Sequence, residues 1–212
     1  MSKVTKMEIQ KRNKERVNLF LDGEYAFSIS DELVYTEGLK LNNDIDSDKL
    51  KALAEKDSLV RCKEAGLRII ERTYKTEKEL REKLKLKGYE DNAVDYCIDF
   101  LKKYNYINDT NYSKAFINDK LNSMGSQKIR YALIQKGISR EIIDEELTNL
   151  STENEENVAF NIGKKKYNAI IKNETDEYKI SGKLYRYLIS KGYSIDITNS
   201  VVKEIMSFES YE

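Results

Sequence analysis

The sequence predicts a mainly α-helical protein, in which tandem three-helix repeats form an elongated, curved array behind a small N-terminal head containing a β-hairpin. Three observations lead to this prediction. A ten-residue segment with a Lys-Gly pair occurs three times, apolar residues at helical spacing precede and follow each copy, and alternating apolar residues flank an Asp-Gly pair near the N-terminus. The first two observations indicate helical repeats, and the third indicates a hairpin.

The repeated segment is predicted to end a helix in each copy. The copies align without gaps on Gly88, Gly137 and Gly192 and read LREKLKLKGY (80–89), IRYALIQKGI (129–138) and LYRYLISKGY (184–193). Lys followed by Gly is typical of a helix C-terminus with a left-handed cap. Residues eight and four positions before each glycine are apolar and share one helical face. We therefore expect six buried residues: Leu80, Leu84, Ile129, Leu133, Leu184 and Leu188.

Each copy is predicted to be the middle helix of a three-helix unit. The glycines are 49 and then 55 residues apart. This spacing is longer than the about 33 or 34 residues of ankyrin and tetratricopeptide repeats, and it suits a unit of three helices better. The helix after each glycine is marked by Val94, Ile98 and Leu101, by Ile143, Leu147 and Leu150, and by Val202 and Ile205. Units of about 50 residues bury little apolar surface alone, so neighbours should stack. We expect a head at 1–50 and repeats at 51–108, 109–150 and 151–212.

The hairpin of the head centres on Asp22-Gly23, with alternating residues on either side. A two-residue loop would pair Leu21 with Glu24 and place the apolar residues of the two strands on opposite faces. A three-residue loop would pair Leu21 with Tyr25 and gather six apolar residues on one face: Val17, Leu19, Leu21, Tyr25, Phe27 and Ile29. We prefer the three-residue loop, because one-sided burial specifies register strongly.

Further elements complete the predicted head. Val4, Met7 and Ile9 indicate a third strand, since an isolated hairpin is marginal in water. Residues 30–37 and 47–56 are predicted helices, with Ser30 and Ser47 as N-caps.

The composition argues against catalysis. Among 212 residues there is no histidine, which excludes Ser-His pairs, an imidazole base and the usual zinc sites. The two Gly-Lys pairs, at 163–164 and 182–183, lack the remaining residues of a phosphate-binding loop. Cys62 and Cys97 lie in helical patterns and are expected as small buried thiols. We expect no enzyme, no cofactor and no metal.

The charge balance excludes a global attraction to nucleic acid, because 37 basic residues match 37 acidic ones. Any basic surface is therefore local. Residues 61–87 hold ten basic side chains against five acidic ones, and residues 164–191 hold eight against three. No apolar run long enough for a bilayer and no signal-peptide pattern occurs, so we expect a cytoplasmic protein without a membrane contact.

Two basic surfaces are candidate contacts. Lys78, Arg81 and Lys85 form one stripe along a helix. The matching positions are Gln127, Arg130 and Ile134 in the second repeat and Gly182, Tyr185 and Ile189 in the third, so we do not expect the charges to recur. The full candidate set is Lys75, Lys78, Arg81, Lys85, Lys164, Lys165, Lys166, Lys183 and Arg186. Solvated helix faces are an equally weighted alternative for any one of these residues.

Tyrosine is abundant, at 15 residues, and several tyrosines interleave with lysines: Tyr89, Tyr96, Tyr104, Tyr106, Tyr185 and Tyr187. Exposed tyrosines could stack on nucleic-acid bases. Burial of these amphipathic side chains between helices is the preferred interpretation.

The chain resembles the RecX family of recombination regulators. The resemblance rests on VNLFLDGEYAFSIS followed by DELVYTEGLKL, on TEKELREKLKLKGY, and on FLKKYNYINDTNYSKAFI leading into KIRYALIQKGISREIID. It implies a non-enzymatic modulator that binds along the groove of the RecA filament on single-stranded DNA, lowers its ATPase and strand-exchange activities, and has some direct DNA binding.

Other readings of the residues remain open beside this resemblance. One is a DNA-binding module with helix-turn-helix-like repeats and no recombinase partner. A weaker one is a scaffold for another protein. We expect the protein to be a monomer.

Overall fold

A computed structural model of the chain describes residues 1–11, 13–148 and 152–208. The chain divides into two compact units, Met1–Ile107 and Asn108–Glu212. The predicted helical class is confirmed, with a small head of strands and three tandem three-helix domains. Over the described ranges, no helix has both the length and the apolar character needed to cross a membrane.

The head is a four-stranded antiparallel sheet with the order β3-β2-β1-β4. Its strands are β1 (Ser2–Ile9), β2 (Arg16–Leu21), β3 (Glu24–Ser30) and β4 (Asp44–Ile45), and α1 (Asp31–Thr36) follows β3. The predicted third strand is β1, which pairs with β2. Val4, Leu19 and Ile29 are fully buried, so the core of the head lies on one face of the sheet.

The predicted three-residue hairpin loop is wrong. Leu21 pairs with Glu24, and the loop is Asp22-Gly23, with φ of 51° and 93° as a tight two-residue turn requires. The register then shifts by one residue between Leu19 and Phe20, so Leu19 still pairs with Phe27 as predicted. A bulge, and not a longer loop, restores one-sided burial.

Because of this bulge, Tyr25 does not lie on the predicted apolar face. Tyr25 pairs with Phe20, and their rings meet edge to face with centroids 5.8 Å apart. Tyr25 is 55% exposed, so its predicted burial is wrong.

The helix α2 (Ser47–Arg72) belongs to both the head and the first repeat. Ser30 caps α1 as predicted, accepting from the Leu33 N–H at 3.1 Å. Asp46, and not Ser47, caps α2, because its carboxylate accepts N–H groups of the first turn and its negative charge suits the helix N-terminus. The predicted helix at 47–56 continues without a break for 26 residues, through the domain boundary placed after residue 50.

The remaining helices form the repeats. The second half of α2 is followed by α3 (Glu77–Leu86) and α4 (Asp91–Lys103), then by α5 (Asp109–Lys120), α6 (Ser126–Gln135) and α7 (Arg140–Thr148), and finally by α8 (Thr152–Ile170), α9 (Glu177–Lys191) and α10 (Ile195–Phe208). All six residues predicted to be buried are 0% exposed. Cys62 and Cys97 are buried as predicted. Leu150, also predicted to be apolar core, lies outside the described residues.

The three glycines end their helices in the same way. Gly88, Gly137 and Gly192 have φ of 89°, 84° and 92°, which confirms the left-handed caps. In each case the N–H after the glycine reaches back to the carbonyl of the buried leucine four residues before it, as from Tyr89 to Leu84 at 3.3 Å. This pattern is a Schellman motif, which satisfies the last carbonyls of the helix.

Within the second unit, the end of α9 meets the start of α6. The N–H of Gly125 donates to the carbonyl of Lys191 at 3.0 Å, and that of Gln127 donates to the carbonyl of Gly192 at 3.1 Å. The Ser126 N–H donates to the Glu155 carboxylate at 2.7 Å. The first N–H groups of α6, which have no partner in their own helix, are therefore satisfied by the third repeat.

Candidate functional site

The predicted stripe of the first repeat lies on α3 beside its own counter-ions. Each of its three cations contacts an acidic side chain of α3 or α4. The pairs are Lys78 with Glu82 at 4.0 Å, Arg81 with Glu77 at 2.7 Å and with Asp95 at 2.5 Å, and Lys85 with Asp91 at 2.6 Å. These contacts reduce the positive charge that the stripe offers to a partner. Lys75 is half-buried beside Thr76, the N-cap of α3.

Glu77 is the centre of this ion-pair network. It accepts from Arg81 and contacts the ammonium of Lys102 on α4. Burial alone would raise the pKa of Glu77, but the hydrogen bonds from Lys102 and Arg81 lower it below its ordinary value. Burial opposes the charged form of Arg81 as well, and its hydrogen bonds to Asp95 and Glu77 leave the pKa of Arg81 raised. The network ties α3 to α4.

The pair between α3 and α4 recurs in the second repeat. Arg130 on α6 contacts Asp144 on α7, and these residues stand seven positions before and after Gly137, as Arg81 and Asp95 do around Gly88. The expectation that charges do not recur between repeats is wrong at this position. The recurrent arginine has a structural contact, which weakens its assignment to a partner.

A different basic surface lies between α2 and α3. An open cleft of about 310 Å³ is lined by Arg68, Arg72, Lys83 and Lys87; we call it the basic cleft. Arg68 has Glu64 at 3.8 Å. Among the described residues, no carboxylate lies within 4.0 Å of Arg72, Lys83 or Lys87, and all three are exposed. Sequence reasoning counted these residues but did not group them, because they come from two helices.

The candidate residues of the third repeat fall into two groups. Lys164 and Lys165 are exposed on α8, whereas Lys166 is half-buried with its ammonium 5.3 Å from the ring centre of Tyr187. Lys183 and Arg186 on α9 line a shallow groove of about 580 Å³ with exposed Tyr178.

The charge of this groove is partly neutralised. The ammonium of Lys183 contacts Glu174 at 2.9 Å. This hydrogen bond is the main cause of the lowered pKa of Glu174. In the part of the chain that the structure describes, Lys164, Lys165 and Arg186 have no carboxylate within 4.0 Å.

The tyrosines only partly follow the preferred interpretation. Tyr89, Tyr185 and Tyr187 are half-buried. Tyr96, Tyr104 and Tyr106 are 46%, 56% and 51% exposed, so their expected burial is wrong.

Comparison with known proteins identifies the family. Models described as the regulatory protein RecX N-terminal domain and as the first, second and third three-helix domains of RecX match residues 2–46, 62–101, 108–147 and 154–202. The chain belongs to the RecX family. It is 66% identical to the regulatory protein RecX of Clostridium beijerinckii over 99% of this chain and 98% of that protein. It is 45% identical to the RecX protein of Clostridium perfringens over the full length of both chains.

Solved RecX structures have the same fold. A crystal structure of regulatory protein RecX, 26% identical, matches with a TM-score of 0.67 over 95% of this chain and 98% of that one. RecX from Lactobacillus salivarius, 22% identical, matches with a TM-score of 0.65 over 71% of this chain and 97% of that one. The RecX domain order therefore spans the chain from the head to the third repeat.

Proposed function

We propose that the chain binds the filament that the RecA recombinase forms on single-stranded DNA and lowers its ATPase and strand-exchange activities. One observation carries the proposal: RecX domains follow one another through both units, and the relatives they match are regulatory proteins. In this proposal the chain acts as a monomer in the cytoplasm and catalyses no reaction itself.

Local charge supports contact with a polyanion or an acidic protein surface. The basic cleft has three exposed cations without counter-ions among the described residues: Arg72, Lys83 and Lys87. Exposed Lys164 and Lys165 supply a second local excess. Since charges on a surface act over a Debye length of about 8 Å at physiological salt, such clusters attract a partner locally although the whole chain is neutral.

The nine residues proposed from sequence remain candidates with unequal support. Lys78, Arg81, Lys85 and Lys183 already hold acidic partners within the chain. A partner has to compete with these contacts or add to them. We therefore consider the basic cleft a better candidate for the contact surface of the first repeat than the stripe on α3.

A DNA-binding module without a recombinase partner is the second candidate. The basic cleft favours it, because lysine and arginine without counter-ions are the usual contacts of a phosphate backbone. Such binding weakens steeply with salt, whereas binding to a filament adds protein contacts that salt does not screen in the same way.

A RecA ATPase titration tests the proposal. The wild-type chain is added to RecA on single-stranded DNA at about 150 mM salt, and its binding to bare single-stranded DNA is measured in the same buffer. We expect ATPase inhibition at concentrations that leave bare DNA largely unbound. Unchanged RecA turnover would refute the proposed function, and strong binding to bare DNA alone would favour the second candidate.

Charge-reversal variants test whether the basic cleft itself, and not the overall charge of the chain, is needed for inhibition of RecA. The variant R72E/K83E/K87E is expected to inhibit RecA only at higher concentration and with a flatter salt dependence. The matched control is K49E/K51E/K56E, which makes the same charge change at exposed lysines of the head half of α2. Equal inhibition by both variants would place the contact outside the basic cleft.

A further inference from the structure

Three aromatic rings form a continuous surface at the end of α4. The ring centres of Phe100 and Tyr104 are 4.8 Å apart, and those of Tyr104 and Tyr106 are 6.2 Å apart with an interplanar angle of 31°. Tyr104 is 56% exposed and Tyr106 is 51% exposed. We call Phe100, Tyr104 and Tyr106 the aromatic platform.

The backbone holds the platform in place. Asn105 has a φ of 55°, a left-handed conformation that asparagine tolerates better than most residues. The chain turns there, and the Tyr106 N–H donates to the carbonyl of Leu101 at 2.8 Å while the Asn105 N–H donates to that of Lys102 at 2.9 Å. Phe100 packs against the buried core of the first repeat. The backbone that carries the rings is thus fixed before any partner arrives, which lowers the entropic cost of binding.

Two lysine ammonium groups lie over rings of the platform in cation–π contacts. The ammonium of Lys63 lies 5.0 Å from the ring centre of Phe100, and that of Lys103 lies 5.9 Å from the ring centre of Tyr104. Across the described ranges, neither lysine has a carboxylate within 4.0 Å. Exposed ring surface therefore lies beside cations that are available to a phosphate.

We propose that the aromatic platform stacks on unpaired bases of single-stranded nucleic acid, with Lys63 and Lys103 facing the adjoining phosphates. Aromatic rings beside basic residues are the usual means of binding single strands, because every base has a face that stacks. A duplex keeps those faces inside its own stack. The inference rests on the proposed function and deepens it, since it adds a contact with bases to a regulator of a filament on single-stranded DNA.

Binding to two strands of equal charge tests the inference. The probes are a fluorescently labelled oligothymidylate and an oligomer of the same length made only of abasic sites, each titrated with the full chain and followed by anisotropy. We expect the base-bearing strand to bind at least about fivefold more tightly, because one stacked base contributes about 5- to 150-fold. Y104A/Y106A should lose this difference and keep its affinity for the abasic strand.

Control variants distinguish the effect of the aromatic rings from that of the lysine charges and from a loss of folding. Y104F/Y106F keeps both rings and should behave as wild type. Y96A removes another exposed tyrosine of α4 and should also retain the preference for bases. K63A/K103A should weaken binding to both strands alike. Tyr106 lies beyond the end of α4, so Y106A alone should lose part of the preference for bases with an unchanged circular dichroism spectrum. This single variant therefore still tests the inference if the double variant fails to fold.

The outcomes distinguish this inference from the proposed function. Equal affinity of the wild type for both strands, or an unchanged preference in Y104A/Y106A, overturns the inference. Loss of RecA inhibition in Y104A/Y106A with an intact preference for bases also overturns it, because the rings would then contact protein. A wild type that prefers bases but leaves RecA turnover unchanged supports the platform and refutes the proposed function.

Discussion

The guanidinium of Arg81 lies 2.5 Å from a carboxylate oxygen of Asp95 and joins the second helix of the first repeat to its third. In the second repeat Arg130 and Asp144 hold the same positions and are also in contact. In the third repeat these positions are Tyr185 and Asn199. An ion pair thus joins the second and third helices in two repeats of three.

A double-mutant cycle on Arg81 and Asp95 should show a stabilising coupling of about 0.2 to 1 kcal/mol, because both side chains are partly exposed and solvent screens them. The measurement is urea unfolding of R81A, D95A and R81A/D95A. The coupling energy between Arg130 and Asp144 should have the same sign. The cycle on Tyr185 and Asn199 is the control, because these residues do not form an ion pair. A coupling near zero in both charged cycles would mean that the recurrent pair has no structural role.

Leu133→Ala should lower the free energy of unfolding by about 2 to 5 kcal/mol, since a fully buried leucine leaves a cavity. Ile134→Ala, on the neighbouring position of α6, is the control, because Ile134 is 36% exposed. Its loss should be clearly smaller in the same denaturant titration. Similar losses at both positions would contradict the assignment of Leu133 to the core of the second repeat.

Glu77 should make the first unit sensitive to acid. Its pKa in the folded chain lies below the ordinary value of 4.5, so its stabilisation is complete above about 4.5 and is lost as the pH falls through the lower folded value. Glu77→Gln should therefore flatten the decrease in stability below this pH, measured as urea midpoints at several pH values. Glu82→Gln removes the 4.0 Å contact with Lys78 and should change the slope less. An unaltered slope in Glu77→Gln would contradict the role of the network.

Gly192→Ala should destabilise the protein more than Gly88→Ala. Both glycines have a φ near 90°, so each substitution carries a strain of about 1 to 2 kcal/mol from the left-handed backbone. At Gly88 a Cβ meets nothing within 4 Å, whereas at Gly192 it would lie 2.3 Å from the Cβ of Lys128. The excess, read from thermal unfolding of both variants, reports the contact between α9 and α6. Equal losses of stability in the two variants would mean that the contact between α9 and α6 accommodates the added methyl group without being weakened.

The helices and their buried positions could be predicted because they depend on local spacing. Leu80 and Leu84 share a face in any α-helix, and a glycine at φ near 90° ends it. The hairpin loop could not be predicted in this way, because a longer loop and a tight turn with a bulge both bring Leu19 opposite Phe27. Alternation alone does not distinguish these two arrangements.

Surface charge was harder to assign than the core. Asp95, which pairs with Arg81 in addition to Glu77, lies 14 residues away across a turn, and the basic cleft combines Arg72 of α2 with Lys83 of α3. A single helical projection shows neither relationship. The exposed rings of Tyr104 and Tyr106 depend on the left-handed turn at Asn105, which carries no glycine to indicate it in the sequence.

The unbroken helix α2 sets the rotational phase between the head and the first repeat. Leu50 and Ala54 pack in the core of the head, whereas Cys62 packs in the core of the first repeat. One residue inserted between Ala54 and Cys62 would turn one set of contacts by about 100° relative to the other, while seven residues, about two turns, would nearly restore the phase and separate the two cores by about 10 Å. Related chains should therefore vary in length at their loops, or by whole pairs of turns in this helix.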